Sequence, residues 1–193
     1  GTIYYCTGNK KFEGEFENDN IKKGILYQDS SSEHNLAYEG TILNDKYHGS
    51  GKQYTYIDIN DETIGQYIKY EGEFTDGKYH GSGKLYKYNH DMNKPIIYYE
   101  GEFMNDKFHG FGKLYYENGN KQYIGSFDNS KYNGIGEKYY ENGFMEYEGH
   151  LSLGKKEGKG TSFFNEDGMI EYIGDWHDDS KHGQGELYDH EGL

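Results

Sequence analysis

The stretch that decides the fold runs from residue 70 to residue 86. It reads Tyr70-Glu71-Gly72-Glu73-Phe74, Thr75-Asp76-Gly77-Lys78-Tyr79-His80 and Gly81-Ser82-Gly83-Lys84-Leu85-Tyr86. The same frame starts at six other positions, 24 to 32 residues apart: Phe12, Tyr38, Tyr99, Tyr123, Tyr147 and Tyr172. A period of this size is typical of architectures built from one small unit repeated. The sequence therefore predicts seven tandem units, the first of them degenerate like a capping repeat.

Within each unit the residue types alternate with a period of two. Tyr70, Gly72 and Phe74 point to one side, whereas Glu71 and Glu73 point to the other. This alternation is typical of a half-buried β-strand. We expect a six-residue loop after Phe74 and then a second strand, so that each unit is a β-hairpin.

A symmetric loop would fix the register of that hairpin. It predicts four facing pairs: Tyr70 with Leu85, Glu71 with Lys84, Gly72 with Gly83, and Phe74 with Gly81. A glycine near an aromatic residue leaves room for the ring to lie over the backbone, which compensates for a strand rich in glycine. Glu39/Lys52 and Glu100/Lys113 would repeat the charge pair, and this recurrence supports the register.

Short turn sequences join one unit to the next. Asn118-Gly119 and Asn142-Gly143 are strong hairpin signals, and Asp167-Gly168 occupies the same place between the last two units. Each unit should therefore pair with its successor. We predict an all-β, elongated, twisted, single-layer antiparallel meander of about fourteen strands, about 60–65 Å long at about 4.8 Å per strand. The long connections 55–69 and 87–97 should extend their strands beyond the sheet edge.

The consensus Tyr-Glu-Gly-Glu-Phe-x-x-Gly-Lys-x-His-Gly-x-Gly at 70–83 closely resembles the MORN repeat, over about residues 12–188. The resemblance implies a solenoid-like array and a non-catalytic eukaryotic scaffold that binds proteins, often as a dimer. It also implies a cytoplasmic location at the periphery of a membrane or of the cytoskeleton. Two alternatives stay open: a phospholipid- or phosphoinositide-binding module, and the regulatory arm of an enzyme. We expect one array over 1–193, itself a fragment of a longer protein.

Composition narrows the classes of partner. The net charge is −14, with 20 lysines and no arginine, which opposes direct binding to nucleic acid or to an anionic membrane surface. Membrane association would therefore be indirect. Hydrophobic residues make up only 33%, but 23 tyrosines and 10 phenylalanines can supply the buried area. Cys6 is the single cysteine, so no disulfide framework can form within the chain.

An aromatic ladder is the strongest candidate for a binding surface. Two interpretations remain open, an internal core and a groove open to a partner peptide or helix. The predicted partner-binding residues are Tyr70, Phe74, Tyr99, Phe103, Tyr123, Phe127, Tyr147, Tyr172 and Trp176. Free strand edges further predict a homodimer through the last unit.

We predict no catalytic residue, cofactor or metal site. His48, His80, His109 and His182 occupy equivalent positions in their units, and positions two strands apart are separated by roughly 10 Å, too far to share an ion. His177, His182 and His190 leave open a zinc site shared between two chains. The phosphate-loop likeness of 77–85 fails because Leu85 stands where a serine or threonine would bind magnesium.

Overall fold

Alternating side chains form strands throughout the part of the chain that the structure describes. The computed structural model describes residues 1–29, 35–59 and 62–189, and every regular element there is a β-strand. The strands are β1 Thr2–Tyr4, β2 Lys10–Glu17, β3 Asn20–Tyr27, β4 Leu36–Leu43, β5 Lys46–Ile59, β6 Glu62–Thr75, β7 Lys78–Asn89, β8 Lys94–Met104, β9 Lys107–Tyr115, β10 Lys121–Asp128, β11 Lys131–Tyr139, β12 Met145–Ser152, β13 Lys155–Phe163, β14 Ile170–His177 and β15 Ser180–Leu187.

Strand order follows chain order from β1 to β15 in one open antiparallel sheet, which confirms the predicted fold class. The repeats are seven hairpins, from β2–β3 to β14–β15, as the spacing of the frame predicts. The predicted count of about fourteen strands misses β1, which pairs with β2 and places Ile3 opposite Phe12. Its three residues carry no motif and cover the outer edge of the first hairpin.

The chain divides into two compact units, Gly1–Ile97 and Tyr98–Leu193. In unit 1, strand pairing is continuous from β1 to β7. In unit 2 it is continuous from β9 to β15. Each unit thus repeats one hairpin geometry, and the two can be compared position by position.

Three of the four predicted pairs are confirmed: Tyr70 with Leu85, Glu71 with Lys84, and Gly72 with Gly83. The fourth is wrong, because Phe74 lies opposite Tyr79 rather than Gly81. The register shifts after Gly72, where Gly81 adopts a left-handed φ of +56° in a bulge. A symmetric loop could not anticipate this, since the two extra residues lie within the second strand.

The six-residue loop was also a wrong prediction. Thr75 faces Lys78, so the turn contains only Asp76 and Gly77, with φ values of +52° and +82°. Two consecutive positive φ angles are what a type I′ hairpin turn requires, and its twist matches that of the strands. The loop is short because Asp-Gly satisfies this geometry at low cost, which frees the following residues to pair.

Consecutive hairpins are also joined through their turns. The Gly77 amide donates to the Tyr47 carbonyl at 2.9 Å, and the Gly154 amide donates to the Tyr132 carbonyl at 2.8 Å. At the opposite end, the Tyr116 hydroxyl donates to the Tyr139 carbonyl, and the Tyr140 hydroxyl donates to the Phe163 carbonyl. Within each of the two units, bonds of this kind fix one hairpin against its neighbour.

The predicted extension of strands in the long connections is confirmed. β5 reaches Ile59 and β6 begins at Glu62, so both have 14 residues, against 8 or 9 in most other strands. The Tyr56 hydroxyl in this extension donates to the Leu36 carbonyl at 3.1 Å. The extension therefore packs against the start of β4.

Candidate docking groove

The predicted aromatic residues form the packed core of the sheet. All nine are buried, with exposed fractions of 5% or less: Tyr70, Phe74, Tyr99, Phe103, Tyr123, Phe127, Tyr147, Tyr172 and Trp176. We call their side of the sheet the aromatic face and the opposite side the charged face. Burial favours the internal-core interpretation of the ladder. Direct contact between these rings and a partner stays a prediction.

Paired glycines explain how a single layer buries its rings. Each Tyr ring lies over the two facing glycines of its hairpin, as Tyr70 lies over Gly72 and Gly83. The ring hydroxyl then donates to a backbone carbonyl three residues ahead, from Tyr70 to Glu73 at 3.0 Å and from Tyr123 to Ser126 at 3.0 Å. The backbone itself thus forms one wall of the core.

A second residue covers each tyrosine, and its chemistry changes along the chain. Four hairpins stack a second ring at 3.8–3.9 Å: Tyr38 on Tyr47, Tyr70 on Tyr79, Tyr99 on Phe108 and Tyr123 on Tyr132. In the last two hairpins lysine replaces that ring. The Lys156 ammonium lies 5.2 Å from the Tyr147 ring and 4.9 Å from the Trp176 ring, a cation–π arrangement.

On the charged face of unit 1, opposite charges alternate from strand to strand. Glu39 faces Lys52, Lys52 faces Glu71, and Glu71 faces Lys84. Ser50 and Ser82 occupy the positions between the bulge glycine and the paired glycine. A groove of about 490 Å³ on this face is lined by these polar residues. Carboxylates and ammonium groups there neutralise one another.

In unit 2, the facing residues in the same row across the strands no longer alternate in charge. Ile124 faces both Lys113 and Glu137, and Glu137 then faces Glu148, a pair of like charges. Thr161 and Ile173 continue the row to Glu186. The serine positions of unit 1 correspond to Phe111, Ile135, Lys159 and Gln184 in unit 2, and Phe111 and Ile135 are 55% and 75% exposed. Unit 2 thus presents carboxylates and large apolar side chains where unit 1 is balanced and polar.

A groove of about 1220 Å³ lies on the charged face of unit 2. Its walls include Ile135, Glu148, His150, Lys159, Ile173 and Glu186, and the backbones of facing glycines form part of its lining. Phe111 lies outside this lining, two strands from Ile135. We call this the acid–apolar groove. Exposed apolar side chains beside carboxylates are suited to binding a protein segment that has both apolar and polar side chains.

Hydrogen bonds and charge tune the polar groups around the groove. The Tyr139 hydroxyl donates to Glu137, and burial together with this bond raises the pKa of Tyr139 to about 12. The Lys159 ammonium lies 2.7 Å from Asp175 and lowers the pKa of that carboxyl. The His177 ring lies 3.1 Å from Glu157, which lowers the pKa of Glu157 and raises that of His177.

The histidines of the repeat lie beside the turns on the charged face. His80 faces Glu73, His109 faces Glu102 and His182 faces Asp175. His177 and His182 have ring centroids 5.8 Å apart, and His190 lies outside the described residues. Within the described ranges, no three His, Cys, Asp or Glu side chains are grouped to hold a metal ion. The shared zinc site stays untested.

The sequence did not predict the acid–apolar groove, because comparing the seven repeats draws attention to the residues that they share. The signal lay in the residues that do not repeat. Aligning the position between the two glycines gives Ser50, Ser82, Phe111, Ile135, Lys159 and Gln184. Phe111 and Ile135 stand out there, because the other hairpins carry small, polar or charged residues at this position.

Comparison with known proteins supports the repeat assignment. The family model described as MORN repeat matches residues 38–56, 70–92, 99–121, 123–145, 147–167 and 172–192. The first hairpin, β2–β3, lies outside these matches, in keeping with its degenerate sequence. No curated protein matches the chain. Among the described residues, no helix is long and apolar enough to cross a membrane.

Proposed function

Because the chain belongs to the MORN repeat family, whose arrays generally serve as protein or membrane interaction modules, we propose that it is a non-catalytic scaffold that docks a protein segment in the acid–apolar groove. The observation that carries the proposal is the exposure of Ile135 at 75% and Phe111 at 55% on one open face. The equivalent positions of unit 1 hold Lys23, Ser50 and Ser82, so the fold does not require these apolar side chains.

The aromatic core supports this role indirectly. Its rings hold the glycine backbones that line the groove, so the docking surface is rigid before a partner arrives. A preorganised surface loses little conformational entropy on binding. In this proposal the nine predicted aromatic residues shape the groove from behind, and partner contact falls to Phe111, Ile135 and Ile173.

Charge supports a protein partner over a lipid surface. Glu148 and Glu186 line the groove together with one lysine, Lys159, and Glu137 lies opposite Glu148. The whole chain carries −14. Anionic headgroups would be repelled, since attraction to such membranes requires clustered lysine or arginine. We propose that the module works in the cytoplasm, where a bound protein would bring it to a membrane or to the cytoskeleton.

Site-specific photocrosslinking tests the proposal in cells. A photoreactive amino acid at position 135 should capture discrete proteins, and the same probe at Ser82 in the polar groove of unit 1 should not. Substituting Phe111→Ser and Ile173→Thr should abolish capture from position 135. The folded state should survive, because other repeats carry serine at the position of Phe111 and the polar residue glutamate at the position of Ile173.

Two outcomes would contradict the proposed function. Equal capture from positions 82 and 135 would mean that the acid–apolar groove has no special role. Strong co-sedimentation of the protein with vesicles of phosphatidylserine or a phosphoinositide, undiminished by the Phe111→Ser and Ile173→Thr substitutions, would establish the lipid-binding alternative instead.

A further inference from the structure

An electrostatic defect that the fold does not need lies at the edge of the acid–apolar groove. Glu137 on β11 lies directly opposite Glu148 on β12. Facing residues of an antiparallel pair have Cβ atoms about 4.5–5.5 Å apart, and like charges there are destabilising. At the equivalent pair of unit 1, Lys52 on β5 faces Glu71 on β6. One lysine at position 137 would therefore remove the repulsion.

The neighbouring lysines do not neutralise this pair. Lys138 and Lys156 lie 2.8 Å and 3.2 Å from Glu146, and Lys156 packs against the rings of the aromatic face. Lys159 contacts Asp175 at 2.7 Å. Lys113 is two strands from Glu137 in the same row, a distance of roughly 10 Å. The Lys121 ammonium lies 5.6 Å from the centroid of the Tyr139 ring, and the Tyr139 hydroxyl donates to Glu137. A hydroxyl carries no charge, so the Glu137–Glu148 pair keeps its negative charge beside the groove.

Apolar side chains lie on both sides of the carboxylate pair. Ile135 is in the adjacent row of the same face, opposite His150. Ile173 follows two strands beyond Glu148, opposite Thr161, and is 39% exposed. A complementary ligand must therefore combine a cation with apolar groups roughly 7–10 Å to each side of it. A free metal ion or an amine would use only the carboxylates.

We propose that the acid–apolar groove selects a cationic, amphipathic protein segment, with a lysine or arginine between Glu137 and Glu148 and with apolar side chains on Ile135 and Ile173. This inference rests on the proposed function and names the chemistry of its partner. The ligand's cation would relieve the repulsion, so part of the binding energy comes from a defect present in the free protein. Charge complementarity of this kind gives selectivity between partners.

Binding of synthetic peptides to the full chain tests the selectivity. The probe is a fluorescein-labelled amphipathic peptide of leucine and lysine, compared with one in which glutamate replaces lysine and one in which serine replaces leucine. We expect fluorescence anisotropy to show binding of the first peptide only, weakening as salt is raised. Equal binding of the leucine–glutamate peptide would overturn the proposal.

Glu137→Lys is the decisive variant, because unit 1 shows that lysine is tolerated there. It should weaken binding of the leucine–lysine peptide by about tenfold and raise the urea midpoint of unfolding. The control is Glu17→Lys on β2, an exposed site in the other unit with the same change of net charge. Equal weakening by both variants would mean that only overall charge matters, and the proposed pairing would be wrong.

The two proposals can fail separately. Suppose that no leucine–lysine peptide binds but crosslinks from position 135 still capture proteins. The groove would then be a docking site for a different chemistry, and only the cationic selectivity would be wrong. Loss of the crosslinks themselves would remove the proposed function.

Discussion

At Gly83 the fold depends on a missing methyl group. A Cβ built there would lie 2.3 Å from the Tyr70 hydroxyl oxygen and 2.5 Å from its ring carbon Cζ. The same contact recurs at Gly51, Gly112, Gly136, Gly160 and Gly185 with the tyrosine of each hairpin. The ring cannot move aside, because Tyr70 is fully buried and its hydroxyl is bonded to the Glu73 carbonyl.

Gly83→Ala should therefore lower the free energy of unfolding by about 1–3 kcal/mol, the usual cost of overpacking. Urea denaturation followed by tyrosine fluorescence would measure it. Gly65→Ala is the matched control in the same unit, because its nearest neighbour would be Ile57 Cδ1 at 3.8 Å. A neutral Gly83→Ala would contradict the packing of Tyr70 over the backbone.

The sequence predicted that these rings and glycines share one face of the sheet, but it did not predict which residues lie opposite each other near Gly81. Alternation placed Tyr70, Gly72 and Phe74 on one side, and the structure buries both rings there. It paired Phe74 with Gly81 because a bulge leaves no trace in a period of two. The left-handed φ of Gly81 is a property of three dimensions, and glycine is also common where only close approach matters.

At the scale of elements, the seven two-residue turns share one geometry but not one chemistry. Both central residues have positive φ in each turn, and the first is Asn or Asp in six of them: Asn18, Asn44, Asp76, Asn105, Asn129 and Asp178. The exception is Leu153, with φ +51° and 65% exposure. The leucine side chain has no polar group that could stabilise the turn. The residue nevertheless adopts a backbone conformation that L-residues avoid.

Leu153→Asn should stabilise the protein by about 1 kcal/mol, since asparagine tolerates the left-handed region at lower cost. Asn129→Leu in the preceding hairpin is the reverse change and should destabilise by a similar amount. Thermal unfolding monitored by circular dichroism would compare the two. If both variants shifted the midpoint in the same direction, the turn conformation would not be the cause.

The turns also show why element boundaries were harder to predict than elements. Thr75-Asp76-Gly77-Lys78 looks like a loop by composition, yet Thr75 and Lys78 are a strand pair. The sequence also did not predict that Lys156 and Lys181 take the place of the second stacking ring, and the reason is similar. The hydrocarbon stem of lysine can cover a ring while its charge reaches a carboxylate, and a hydrophobicity pattern does not record that.

At the scale of the whole molecule, buried tyrosines couple folding to alkaline pH. Burial, the first cause in each case, holds the pKa of Tyr132 and of Tyr147 at about 12 and also raises the pKa values of Tyr38, Tyr99 and Tyr123. In the unfolded chain the pKa of tyrosine is about 10. Above that pH the unfolded chain loses protons that the folded chain still holds.

The free energy of unfolding should therefore be insensitive to these groups below about pH 10 and should fall as pH rises from about 10 to 12. Urea midpoints measured across this range, together with tyrosinate absorbance, would test it. Tyr147→Phe should make the decline shallower, whereas Tyr4→Phe, at a 61% exposed site, should leave it unchanged. A flat profile up to pH 12 would contradict burial of the hydroxyls.

The hydrogen bond from each turn to the hairpin before it bears on how such genes change in length. The Gly77 amide donates to the Tyr47 carbonyl, and the Gly154 amide donates to the Tyr132 carbonyl. The donor is in the turn of one hairpin, and the acceptor is the second residue after the turn of the hairpin before it. The two joints are interchangeable in this respect. Unequal recombination that duplicates or removes one complete hairpin, such as 123–146, would rebuild an equivalent joint. The lineage can thereby add or lose binding surface without inventing a new fold.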